Sequence, residues 1–205
     1  MKTEASVVSL LLFLTLLGVS GRMLCQAQLE WSTKYSISVH ADGSATWMIE
    51  RGTLLWTKDD EWNFLIRYPS EGHLQEFFNN VETLVNTTQL QTGRDMKVPY
   101  ESFKITASIT SRTETSSYGI VRYQFDWLNF TQIRDTQIVL GDAFIEGIFL
   151  FGDGELILEY PSEYDISEAN PWPDMIDSNQ ALTWYRIGNL AVRQPRIIFR
   201  QKTSD

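Results

Sequence analysis

Asp142, Asp153, Glu155, Glu159, Glu163 and Asp165 crowd one short stretch of the chain. Hydrolysis of a glycosidic bond needs two carboxyl groups about 5 to 10 Å apart across a sugar-binding cleft. Here Glu155 and Glu159 alternate with Leu156 and Leu158. That spacing puts them on the wet face of a strand rather than across a cleft. The two histidines, His40 and His73, lie far apart and have no neighbouring cysteine. A zinc site is therefore not expected, and both histidines read as ordinary surface residues. Asp153-Gly154-Glu155-Leu156 lacks the alternating ligands of a calcium loop. There is no G-x-S-x-G and no phosphate-cradling glycine loop. The residues predict no catalytic constellation, no metal and no cofactor.

Modification and contact are the chemistry that remains. Asn86-Thr87-Thr88 and Asn129-Phe130-Thr131 are N-glycosylation acceptor motifs. Asn86 is expected just past a helix and Asn129 just past a strand. The seven tryptophans are Trp31, Trp47, Trp56, Trp62, Trp127, Trp172 and Trp184. An indole can platform a sugar or anchor a partner. Trp47 and Trp127 fall on the buried side of alternating patterns. Trp172, between Pro171 and Pro173, is the candidate for an exposed ligand contact.

The N-terminus supplies an address. A short polar start precedes the apolar run Val7 to Val19, and a small-residue exit ends at Ala27. A transmembrane helix needs about 20 apolar residues, so residues 1–27 read as a cleaved secretory signal. An uncleaved anchor is the alternative, and would keep the same domain outside the cell. Cys25, the only cysteine, leaves with the leader. It lacks the aliphatic and small residues that a lipid-attachment box requires before it. A small exported domain without disulfides favours a prokaryotic source. The formal charge of −9 becomes one unit more acidic once Lys2, Glu4 and Arg22 are removed. Such a surface repels nucleic acid.

Residues 28–205 read as one β-rich domain with enough apolar sequence for a proper core. Tyr35, Ile37 and Val39 alternate with polar residues up to Asp42-Gly43, and Ala45, Trp47 and Ile49 alternate after it. Period-two patterning around Asp-Gly predicts a hairpin. Residues 62–69 suggest a short strand or connector stopped by Pro69. Leu74, Phe77, Phe78, Val81, Leu84 and Val85 form one stripe of a helix capped by Ser70. Alternation predicts strands at 103–110 and 121–127, with a polar tip over 111–117. Further strands are expected at 138–140, 144–151, 156–160, 181–186 and 196–201, with a loop-rich stretch after Pro161. The predicted fold is mainly β: an antiparallel β-sandwich with one amphipathic α-helix, or α+β with an antiparallel sheet.

Several short strings, taken in order, resemble a broad group of uncharacterised archaeal exported domains. They are the opening hairpin with Asp42-Gly43 and Trp47; Phe125-Asp126-Trp127-Leu128-Asn129-Phe130; Gly141-Asp142-Ala143-Phe144; Leu156 to Pro161 with Tyr164; Pro171-Trp172-Pro173; and Leu182-Thr183-Trp184. Together they span about residues 29–200. The resemblance implies an extracytoplasmic β domain with no established activity and no functional residues to carry over. In that group a membrane helix often follows the domain, sometimes ahead of a cytoplasmic winged-helix domain. This chain ends Gln201-Lys202-Thr203-Ser204-Asp205 without an apolar run.

The expectation is a secreted or cell-surface, non-enzymatic binding domain. Its partner would be a protein or glycan of the cell envelope, with the membrane involved only if the leader is retained. The alternatives are a surface-polysaccharide hydrolase, and a structural subunit of a surface assembly that pairs through an exposed strand edge.

Overall fold

The computed structural model describes residues 32–111, 115–143, 154–185 and 195–202. The leader with Cys25, the strand expected over 144–151, and Asp153 lie outside the described residues. The chain forms β1 (Ser32–Val39), β2 (Ala45–Leu55), α1 (Lys58–Arg67), α2 (Glu71–Thr92), a 3-10 turn (Tyr100–Ser102), β3 (Lys104–Ser111) and β4 (Ser117–Trp127). It continues with β5 (Gln132–Arg134), β6 (Gln137–Leu140), β7 (Glu155–Glu159), β8 (Tyr164–Asn170), β9 (Met175–Ile176), β10 (Ala181–Tyr185) and β11 (Arg196–Gln201).

The architecture is mainly β, with two sheets that are mostly antiparallel. The larger sheet has seven strands in the order β3-β4-β2-β1-β7-β10-β9, and the smaller has four in the order β5-β6-β11-β8. The predicted hairpin is present: Tyr35 pairs Ile49 and Ile37 pairs Trp47. Gly43 at φ 84° turns it, which glycine does without steric cost. β1 also pairs with β7 in parallel, a departure from the all-antiparallel expectation. The stretch expected as loop after Pro161 contains β8, which hydrogen-bonds to β11 across a register shift between Ile198 and Phe199.

Residues 62–69 are not a strand, so the domain has two α-helices where one was predicted. A capping box at Thr57 decides this. Asp60 N–H donates to Thr57 Oγ1 at 3.0 Å, and Thr57 N–H donates to Asp60 Oδ2 at 3.0 Å. Two end donors are thereby satisfied, and Asp59, Asp60 and Glu61 suit the positive end of the helix dipole. α2 starts at the expected Ser70 cap but runs on to Thr92, where Gly93 at φ 71° closes it. Its buried face continues through Thr88.

The core lies on one face of the large sheet. Leu156 and Leu158 of β7, and Leu182 and Trp184 of β10, join Tyr35, Ile37, Trp47, Ile49, Tyr123 and Phe125 there. Trp47 and Trp127 are buried, as predicted. α2 covers the β3–β4 side, with Phe77 against Tyr123 at 4.9 Å, Phe103 at 5.4 Å and Phe125 at 5.8 Å. The small sheet adds Ile138, Leu140, Ile197 and Phe199 to the same core. α1 sends Phe64 inward over Gly119, where an added Cβ would stand 3.0 Å from Phe64 Cζ and 2.9 Å from Leu55 Cδ1.

This close approach yields a prediction. Phe64→Ala should cost about 3 kcal/mol and Gly119→Ala about 1 to 2 kcal/mol, read by urea denaturation. The double variant should lose less than the sum, because removal of the ring vacates the space that the new methyl needs. Strict additivity would refute the contact.

Candidate interaction surface

α1 is held at its N-terminal end and along its inner face. Asp60 Oδ2 accepts from the Trp56 N–H as well, at 3.3 Å. Lys58 bridges to Glu61 at 2.9 Å, and Ser117 Oγ donates to Glu61 Oε1 at 2.6 Å. These hydrogen bonds, first from Lys58 and then from Ser117, hold the Glu61 carboxyl below its ordinary pKa. Phe64 is the one residue of the helix fully buried. With Phe64 turned inward, Trp62, Leu65 and Ile66 must face out, as neighbours at i+3 and i+4. Trp62 is 67% exposed, Ile66 54%, and Trp56 at the helix entrance 61%. An apolar group of this kind on a rigid element is a candidate interaction surface. Reading residues 62–69 as a short strand or connector hid it from the sequence. The usable signal was Thr57 followed by Asp60, three residues apart.

Trp172, the predicted contact, is 60% exposed. It stands by the edge strand β9 with exposed Met175, Ile176 and Tyr185. Trp184 anchors this segment from below by donating its Nε1–H to the Pro171 carbonyl at 3.1 Å. Asp174 Oδ2 accepts the Tyr185 N–H at 2.8 Å. β9 ends the large sheet opposite β3, so the Trp172 and α1 surfaces are separate.

Both glycosylation motifs are placed differently from expectation or held more tightly. Asn86 lies within α2, not beyond it. Its third residue, Thr88, is 2% exposed and donates Oγ1–H to the Leu84 carbonyl. Asn129 adopts φ 55°, a left-handed conformation that asparagine tolerates. Its Nδ2 donates to the Asp95 carbonyl at 2.7 Å. Thr131 is 3% exposed and donates to the Gly43 carbonyl at 3.1 Å. In the folded domain neither hydroxyl faces solvent.

The carboxylates among the described residues do not converge. Asp142 pairs with Arg94 at 2.9 Å, Glu155 with Lys34 at 2.8 Å and Asp165 with Lys202 at 3.5 Å. Glu159 accepts from Ser38 Oγ at 2.9 Å, and Glu163 is exposed. Four residues of strand separate Glu155 from Glu159 by about 13 Å, beyond glycosidase spacing. No group of three or more metal-ligating side chains occurs among the described residues.

His40 is exposed, as predicted, with Nε2 at 3.0 Å from Thr46 Oγ1. His73 is not an ordinary surface residue. Its ring is largely covered, edge-on to Tyr68 at 5.2 Å, and Nε2 lies 3.0 Å from the Tyr123 hydroxyl. Desolvation lowers its pKa, with Glu76 acting the other way. Glu76 beside Nδ1 favours the proton there, leaving Nε2 to accept from Tyr123. Burial raises the pKa of both the Tyr123 and Tyr68 hydroxyls, so both stay protonated.

The family model described as a domain of unknown function, DUF7345, matches residues 36–164. That is well over half of the chain. This chain belongs to the DUF7345 family. The match runs from β1 to the first residue of β8, so the α1 surface of this DUF7345 domain lies inside it and Trp172 beyond it. No curated protein matches the chain. Among solved structures, the folded domain of the Mycobacterium tuberculosis protein LppM, determined by NMR, is similar at a TM-score of 0.45 and 12% identity. That alignment covers 90% of this chain and 97% of the other.

Two measurements follow. Asn129→Ala should cost about 1 kcal/mol or more and Asn129→Gly distinctly less, by thermal melting; equal costs would remove the role of the left-handed turn. For His73 the folded pKa lies below the unfolded value, so the unfolded chain binds the proton more readily. Its contribution is complete above the unfolded value, near pH 6.5, and is lost as pH falls from there towards the folded pKa. His73→Gln should flatten stability between pH 7 and 5, and an unchanged slope would contradict this.

Proposed function

We propose that this DUF7345 domain is an exported, non-enzymatic interaction domain that holds a protein of the cell envelope against the outward face of α1. The observation that carries the reading is the exposed set Trp62, Leu65 and Ile66 on α1, with Trp56 just before its cap, the helix being fixed by that cap, by Glu61 and by Phe64. Burying one such side chain is worth about 2 kcal/mol, the size of an interface hot spot. Aromatic and aliphatic anchors on a preorganised element bind with little ordering cost. Export is supported by the leader pattern of residues 1–27. The scatter of the described carboxylates, four of them held by partners of their own, favours binding over hydrolysis. Exposed Trp172 beside its prolines supports a second reading, contact with an envelope glycan at the β9 edge.

A photo-crosslinking side chain placed at position 62 or 66 of the full chain in its own cells should give one discrete protein adduct. A probe at exposed Gln75 of α2 should not. Ile66→Glu should cut the adduct from position 62 at least tenfold, with melting changed by less than about 0.5 kcal/mol. Adducts at 172 but not at 62 or 66 would transfer the function to the glycan reading or a partner at that edge. N-terminal sequencing should find the exported chain beginning at Gln28. Recovery of the chain only inside the cell, with Met1 intact, would overturn export.

A further inference from the structure

Both helices and the small sheet pack on one face of the large sheet. The opposite face carries an ordered charge pattern. Strand register places Arg122, Glu50, Lys34 and Glu155 in one straight row across β4, β2, β1 and β7. Thr106 and Tyr185 continue the row at its two ends. Charges alternate along it, and neighbours pair: Arg122 Nε to Glu50 Oε2 at 2.6 Å, and Lys34 Nζ to Glu155 Oε1 at 2.8 Å. The four side chains keep between 27 and 43% of their surface exposed. The adjoining rows hold the half-buried apolar residues Met48, Ile120 and Ile157. Tyr118 lies across Gly52, where an added Cβ would collide with its ring.

We propose that two copies of this chain pair face to face through this sheet surface, about a two-fold axis parallel to the strands and passing between Glu50 and Lys34. An alternating row of four charges changes sign when reversed. That axis therefore sets Arg122 opposite the other copy's Glu155, and Glu50 opposite its Lys34. The other in-plane axis, along the row, would set each charge against itself. The pattern thus selects one orientation and disfavours the other. An isologous contact of this kind closes as a dimer. The row is locally neutral, which matters for two chains each carrying a formal charge of −9. Stacked sheets lie about 10 Å apart, a gap that Arg, Lys and Glu side chains span from both sides. Asp126 and Glu159, about 13 Å further along the strands, swing out of opposition when such sheets cross at about 30°. The α1 surface stays free on the other side of the sheet.

Sedimentation equilibrium and light scattering of the full chain test this directly. The unaltered chain should dimerise reversibly, while Arg122→Glu and Glu155→Arg alone should each weaken association at least tenfold. An equimolar mixture of the two variants should recover dimers. In the mixed dimer the glutamate introduced at position 122 of one chain faces the arginine introduced at position 155 of the other, the second contact keeps the native Arg122 and Glu155 pair, and the neighbour contacts within each chain are as poor as before. Circular dichroism should show both variants folded. A strict monomer for the unaltered chain would overturn the proposal, as would variants that dimerise normally. Folded variants whose mixture stays monomeric would overturn the orientation. None of these outcomes depends on the α1 crosslink.

Discussion

Phe77 is the contact on which the two layers depend. One ring of α2 meets Tyr123, Phe125 and Phe103 of the sheet within 6 Å. Phe125 in turn stacks on Phe103 and on Trp47, and Trp47 meets Phe130 edge-on. Aromatic rings of this size bury large areas and add specific edge and offset geometry. The helix layer is therefore keyed to β3 and β4 at one place. α1 follows from that keying, because the chain must turn at Pro69 and Ser70 to begin α2. Its outward face then has nowhere to go but solvent.

What could be read from the sequence was what the backbone decides locally. The hairpin at Asp42-Gly43, the long strands β3 and β4, and the Ser70 cap of α2 all carry their own short-range signal. α1 did not, because its apolar residues Trp62, Leu65 and Ile66 lie on the exposed face and only Phe64 points to the core. A helix with one buried residue has no core-facing stripe to detect, and its cap is the clearer signal. β8 was hidden for a related reason. It is an edge strand of the small sheet, with most of its side chains wet, so its pattern looks like loop. The left-handed turn at Asn129 and the burial of Thr88 and Thr131 depend on contacts made by distant segments.

Site legibility divides the same way. Trp172 was visible because flanking prolines keep it out of a regular element. The buried state of His73 was invisible, since its partners Tyr68 and Tyr123 come from α1's end and the middle of β4. The charge row of the large sheet was unreadable for the strongest reason. Its four members are spread over more than a hundred residues, and only strand register aligns them.

The parallel ladder between β1 and β7 has a further consequence for how the domain comes into being. β1 sits in the interior of the large sheet, yet one of its two neighbours begins only at Glu155. The side chains of Tyr35 and Ile37 stay half-clothed until Leu156 and Leu158 arrive. Closing so long a loop makes non-local pairing slow. The first half of the chain can form a helix-backed hairpin meander by itself, but it keeps an open hydrophobic edge. A chain of this topology matures last at the strand it made first, so its earliest residues remain the latest to be protected.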